Sequence, residues 1–409
     1  MSEDSLVVQD SQECKKPEKE KYSKKQFNFQ KYPKRRIAIL FLYYGWEYDG
    51  LVSQKTSTNA VEDHLKNALL KTKLIEKWED SKYCRSGRTD KDVSAFKQVA
   101  SLIVRSTDSN GLYVFWPEDA NKTEIKKYNT ELNYTKILNA VLPKGIRILA
   151  WAPVPLNFNA RFDCNERVYK YGLPASALDI QLMQNACDQL VGEHDFRNFC
   201  HIDNNPSRLQ MSYIRNIHSA KIEIVSCDDN LTTNDVKQVS RYKFAELTIK
   251  ASGFLWHQIR YIVSVLYEVG RRNENPEIVT DLLNIEKFPK RPTYCLAAAT
   301  PLYLYDCCYN NTDISWKWDI YAVRVVRKIL LNTYADFRTR CLMLKHMVEG
   351  IGNLLPELHD DYNGFNDFIV PLSSSLPASY VPLKRRRTCD SLEQRRQKLF
   401  KKNTSDFES

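Results

Sequence analysis

The chain has 409 residues, enough for two or three domains with filled cores, and carries a formal charge of +10 with a pI of about 8.9. That balance suits a polyanionic partner such as RNA, and it equally suits a cationic protein of a membrane surface. No apolar run reaches about eighteen residues, and Glu3 and Asp4 stand where a secretory leader would be basic, so neither a membrane span nor a leader is expected.

Residues 1–34 are polar, lysine-rich and poor in aliphatics, and read as a disordered basic tail. Order is expected from Ile37-Ala38-Ile39-Leu40-Phe41-Leu42-Tyr43, an apolar run that fits a buried central strand. Gly45 and Gly50 bracket the next turn, whose Trp46 either stacks on bases or caps the core. From Asn59 to Thr72 the spacing predicts an amphipathic helix, with Val61, Leu65, Ala68, Leu69 and Leu70 on one face and Asn59 as N-cap.

The stretch from Tyr83 to Phe96 sets Asp90 between Arg88 and Lys91 just before strand-like sequence. Opposite charge within a few ångströms favours an ionised carboxylate, and an ionised Asp held rigidly is a candidate nucleophile. The alternative is that Thr89 and Asp90 only close a turn through side-chain to backbone hydrogen bonds.

Phe96 to Val104 alternates as a strand with one solvated face, and residues 106–127 read as an insertion or long loop. A helix over Leu132 to Leu142 ends at Pro143, and a strand follows from Ile146 to Trp151. Strand, helix, strand, helix, strand argues for an α+β unit with helices on one face of a sheet. A second unit begins near residue 158. In it Tyr169 and Tyr171 share one face of a strand, Ile180 to Val191 is helical, and His194 is expected to be a structural hydrogen-bonding residue. Strands over 213–225 and 242–251 flank a polar loop. Leu255, Ile259, Ile262 and Leu266 then form the stripe of a helix that also carries Arg260, a cation that must find a counter-charge there. A strand over 301–307 closes the unit, and 318–350 is helical and expected to pack on the body. Leu383 to Arg387 and Arg395 to Lys402 make a basic tail that binds phosphates, directs nuclear import or only solubilises.

The eleven cysteines include no CxxC pair, which favours reduced thiols inside a cell. The seven histidines show no metal-ligand spacing, so no zinc or other metal is expected.

Gly87-Arg88-Thr89-Asp90, followed by Lys91 and Val93-Ser94-Ala95, resembles the active-site motif of the TruA-type tRNA pseudouridine synthases. Further segments match in order: Tyr44 to Leu51, Phe158 to Phe162 with Arg167-Val168-Tyr169-Lys170-Tyr171, Gly192 to Cys200, and Gly253-Phe254-Leu255 with Ile259-Arg260, within residues 36–309. Pro301-Leu302-Tyr303-Leu304-Tyr305-Asp306-Cys307, with Gly45-Trp46, resembles the eukaryotic branch acting on tRNA positions 38 and 39.

The resemblance implies an α+β fold of two ferredoxin-like or RRM-like halves whose sheets form a central cleft, plus a C-terminal helical extension. Its parts would be the tail 1–34, a half over 35–157 carrying Asp90, a half over 158–310, the extension 311–370 and a basic tail 371–409. It implies Asp90 as nucleophile, Arg260 as its ionic partner, and Tyr169 against the target uracil, helping to remove a proton from C5 or C2′. Arg88, Lys91 and Arg161 would bind the RNA with Tyr169. No cofactor is implied; tRNA is the partner, no membrane is involved, and a homodimer in nucleus and cytoplasm is expected. Two departures stand out: Leu51 where phenylalanine is common, and Asp92 where the family has glycine. Aspartate tolerates the left-handed region at a cost of about 1 kcal/mol, but it adds negative charge near the nucleophile. That leaves open a tRNA-binding protein or chaperone of the same fold with weak or lost catalysis, or a pseudouridine synthase with another RNA site.

Overall fold

The computed structural model describes residues 27–118, 120, 129–225, 242–310, 313–355, 357 and 380–405. Most of the expected tail (1–26), part of the expected insertion (119 and 121–127), the polar loop at 226–241, part of the expected extension (311–312, 356 and 358–370) and parts of the C-terminal tail (371–379 and 406–409) lie outside them.

The first half grows from β1 (Lys34–Tyr43), whose residues beyond Lys34 are all buried. It starts ahead of the apolar run because residues 27–33, grouped with the tail by composition, pack against the sheet edge. There Phe27 stacks on Tyr32 at 5.4 Å and the Arg105 guanidinium lies over both rings. Helix α1 (Val61–Lys71) follows, but Asn59 is not its cap. The Asn59 amide donates to Glu47 O at 2.9 Å, while the free N–H of Ala60 reaches Asp63 Oδ2 at 3.0 Å. β2 (Cys84–Arg85) and β3 (Ser94–Arg105) flank the Asp90 loop. The loop covers the β3 face expected to meet solvent, so Gln98 is buried and donates to Gly87 O at 3.2 Å. β4 (Val114–Phe115), inside the expected insertion, pairs with β1; α2 (Tyr134–Asn139) and β5 (Ile146–Pro153) complete the half.

The second half contains β6 (Glu166–Pro174), α3 (Ile180–Asp188), β7 (Gly192–Asp195), α4 (Pro206–Leu209), β8 (Ile214–Val225), β9 (Phe244–Ala251), α5 (Gln258–Gly270), α6 (Ile278–Leu283) and β10 (Leu302–Cys308). Helix α3 ends short of Val191 because the chain must turn into β7 through Gly192 at φ +107°. The α+β class is as expected, and the two halves merge edge to edge. One sheet runs β11-β5-β1-β3-β10-β6-β9-β8-β7, with β11 at Lys317–Trp318, and the seam is the parallel pairing of Ser94 with Tyr303 and Ala95 with Leu304. Tyr169 lies across from Leu304 and Ile249, and Tyr171 across from Leu302 and Leu247, all on the buried face.

Helix α7 (Ile320–Leu354) begins against α2 and β5, but of its 35 residues only Ala322, Val326 and Gly352 are buried. The expectation of helices packed along the body holds only at its start. Residues 380–405, expected as part of a tail, instead dock on the second half through buried Leu383 and Leu392 and end in α8 (Leu392–Ser405). Apolar anchors too sparse to register in composition suffice for that. No helix among the described residues is long and apolar enough to cross a membrane.

Candidate active site

The Asp90 loop rests on backbone hydrogen bonds. Ser86 N–H donates to Val99 O at 2.8 Å, Leu51 N–H to Thr89 O at 3.2 Å, and Val93 N–H to Asp90 O at 3.2 Å. Thr89 is buried, its hydroxyl 2.7 Å from the Tyr43 phenol. Two close approaches need glycine: a Cβ on Gly45 would lie 2.2 Å from the Val93 carbonyl carbon, and one on Gly50, at φ +90°, 3.0 Å from Thr89 O. Asp92 adopts φ +67°, the left-handed conformation that a glycine would supply, so its substitution leaves the loop path intact. The turn is closed by main chain, and the Asp90 carboxylate faces the second half.

Three donors from that half converge on it. Trp256 Nε1–H donates to Asp90 Oδ1 at 3.2 Å, His257 Nε2 lies 3.3 Å from Oδ2, and Arg260 Nη1 lies 3.8 Å from Oδ2. They come from the junction of β9 and α5, where the chain turns through His257 at φ +62°. In α5 every residue except Arg260 and Glu268 is buried, so the helix cannot shift without breaking the core. Arg260 Nε also donates to Ala297 O at 2.7 Å. Burial lowers the Arg260 pKa and Asp90 opposes that shift, while a guanidinium stays protonated throughout. At 3.8 Å the pair attracts by roughly 4 kcal/mol at an effective dielectric of about 20.

Burial pulls the His257 pKa down to about 4, with Arg260, His201 and Arg291 adding to the effect and Asp90 opposing it. Near neutral pH the ring is uncharged, so it can serve the carboxylate only with its proton on Nε2. Its Nδ1 is buried without a partner.

Tyr169 lies beneath the loop, 7 % exposed, its ring edge-on to Phe254 at 5.2 Å, with a Cβ on Gly87 reaching to 3.8 Å from its hydroxyl. Burial raises its pKa above the ordinary tyrosine range, so the group is a phenol near neutral pH. Lys91 turns away from Asp90 and pairs with Asp49 at 3.0 Å on the surface. Arg88 is exposed, and after burial the neighbours that lower its pKa are Arg85, Arg208 and Arg161. Arg161 is exposed over the Phe162 ring at 5.3 Å. Cations adjacent to Asp90 in sequence are therefore not its partners, because side chains along a turning loop point apart; its partners arrive from the junction of β9 and α5 and from the first turn of α5.

Arg167, given no role beyond its place in the matched motif, is a buried tie. It donates to Ser86 O at 2.8 Å, Arg161 O at 2.7 Å, Cys164 O at 3.3 Å and Ser252 O, binding the Asp90 loop to both strands' approaches. Trp256 and His257 were also missed. Their signal was adjacency to Ile259-Arg260, in motif positions that carry no fixed residue type.

A loop carboxylate in one half thus meets a guanidinium from the other, on one continuous mixed sheet. The chain belongs to the tRNA pseudouridine synthase family, a family of isomerases. The sequence family described as tRNA pseudouridine synthase matches residues 186–310. A Caenorhabditis elegans protein described as a probable tRNA pseudouridine synthase is 43 % identical over 389 residues, 94 % of each chain. The human tRNA pseudouridine(38/39) synthase is 36 % identical over 93 % of this chain and 80 % of its own. The Saccharomyces cerevisiae protein of the same name is 35 % identical over 98 % of this chain and 86 % of its own.

Proposed function

We propose that this chain converts uridine to pseudouridine in tRNA at positions 38 and 39, the positions in the names of its human and yeast relatives, with Asp90 as nucleophile. The observation that carries the proposal is the meeting of Asp90 with Arg260, His257 and Trp256. Asp90 attacks the nucleotide at C1′ or C6, the N1–C1′ bond breaks, the uracil turns, C5 bonds to C1′, and the bond to Asp90 breaks to return the free carboxylate. The proton lost from C5 is balanced by one gained at N1, so substrate and product are isomers and no external reagent is consumed. Arg260 holds Asp90 in place and balances its charge. Tyr169, a phenol, contacts the uracil and can donate one hydrogen bond.

The target base must leave its stack, at a cost of a few kcal/mol. Phosphate contacts offset that cost. Arg88 and Arg161, exposed and clustered with Arg85 and Arg208, supply them, and Lys91 adds charge at the rim. The same reading takes a homodimer as the working unit and the nucleus as well as the cytoplasm as its location, the latter supported by the Lys384-Arg385-Arg386-Arg387 run. Light scattering and imaging of the tagged chain check these two points.

Incubating the purified protein with a tRNA transcript and mapping pseudouridine tests the central reading. Conversion at 38 and 39, lost when those uridines are replaced by cytidine, is the expected result. Conversion elsewhere only, or none, overturns it.

A further inference from the structure

Trp256 is the one neutral indole on the nucleophile, and it is held from behind. Its backbone carbonyl accepts from His201 N–H at 3.0 Å, and its ring meets the His201 ring at 4.5 Å. The Arg208 guanidinium lies over the indole at 5.3 Å. The segment from His201 to Leu209 thus brackets Trp256 at both ends.

What holds that segment is the C terminus. Ser391 and Gln394 start α8 with reciprocal bonds, each side chain accepting from the other's N–H at 3.1 Å. One turn on, Arg395 Nη1 donates to Ile202 O at 2.9 Å and to Asn204 Oδ1 at 3.2 Å, and Arg396 Nε donates to Leu209 O at 2.8 Å. The entry to α8 is pinned in turn: Glu393 pairs with Arg197 at 2.7 Å, and Thr293 and Cys389 exchange backbone bonds with Arg387 and Arg291 at 2.7 and 2.8 Å. The Arg291 guanidinium lies over Tyr261 of α5 at 4.4 Å.

We infer that Arg395 and Arg396 of the C-terminal segment are positioning residues for the reaction: they clamp the 201–209 segment so that Arg208 keeps the Trp256 indole on Asp90. The basic C-terminal helix spends these guanidiniums on carbonyls of the 201–209 segment and not on RNA phosphates. The inference rests on the proposed isomerase reading for its kinetic consequence, while the clamp itself has a readout independent of activity.

The test uses the full chain labelled with 5-fluorotryptophan, the Trp256 fluorine resonance being assigned by its loss in Trp256→Phe. In Arg395→Ala/Arg396→Ala that resonance shifts or broadens, kcat falls by about tenfold or more, and KM for tRNA stays within about twofold. Adding Trp256→Phe to this variant costs nothing beyond Trp256→Phe alone, and Arg395→Lys/Arg396→Lys restores part of the rate. Lys398→Ala, whose ammonium pairs with Asp390 at 2.7 Å, leaves kcat as it is. An unmoved Trp256 resonance, a raised KM with intact kcat, or losses that multiply with Trp256→Phe would overturn the clamp. If the double variant does not fold, Arg396→Ala alone is read by the same criteria. Should the wild type convert no uridine, the proposed function fails while the fluorine resonance still decides the clamp.

Discussion

Two sets of arginines surround Asp90, and they are held in opposite ways. On the floor, Arg260 and Arg167 direct their donors to Asp90 and to the carbonyls of Ala297, Ser86, Arg161, Cys164 and Ser252. At the rim, Arg88 and Arg161 are exposed and have no carboxylate partner among the described residues. The floor cations complete the protein, so losing one leaves buried groups unmatched. The rim cations lack such ties, and under the proposed function they are the ones that meet phosphate.

That division is open to direct challenge. The largest effect is expected from Arg260→Ala: pseudouridine formation falls by about 100- to 1,000-fold, because a preorganised charge at the reacting group is gone, while tRNA affinity measured by filter binding holds. A variant that loses affinity and keeps rate would move Arg260 to the rim. Arg167→Ala strands four carbonyl acceptors, those of Ser86 and Cys164 in fully buried bonds, and costs on the order of 3–5 kcal/mol in urea unfolding. Next, Arg88→Ala/Arg161→Ala weakens tRNA binding by about tenfold and lowers the slope of log K against log salt by about 1–2 units, with folding stability unchanged. A salt slope identical to wild type would remove both residues from the phosphate path.

A smaller effect concerns His257. Its folded pKa of about 4 lies below the ordinary 6.5, so between those values the unfolded chain binds more protons and stability is lost as pH falls. The loss is on the order of 2–3 kcal/mol across that window, and His257→Gln, which keeps an N–H donor, should flatten it in unfolding curves recorded from pH 7 to pH 4. The smallest effect is Lys91→Ala, which breaks only the exposed pair with Asp49 and should change stability by less than about 0.5 kcal/mol.

The strands of the core were legible because they are long and apolar: β1, β5, β6, β9 and β10 all lie on runs whose pattern forces burial. The Asp90 to Arg260 pairing was legible too, through the matched motifs and because a guanidinium in an apolar helix requires a counter-charge. Sequence adjacency misled at Lys91, since neighbours on a turning loop diverge. It was uninformative at His257, where a left-handed residue at the start of α5 swings the ring onto Asp90. Composition misled at the C terminus: a strongly basic segment reads as solvated, yet Leu383 and Leu392 are enough to seat it. Asn59 shows the same limit locally, since a good capping residue lost its place to Asp63 once the Glu47 carbonyl came within reach.

The most direct measurement is single-turnover conversion of tRNA by Asp90→Asn, an isostere that keeps the size of the group and removes its charge and nucleophilicity. No detectable pseudouridine is expected, with tRNA affinity within about twofold of wild type. Conversion by Asp90→Asn at a rate near wild type would contradict the assignment of Asp90 as nucleophile.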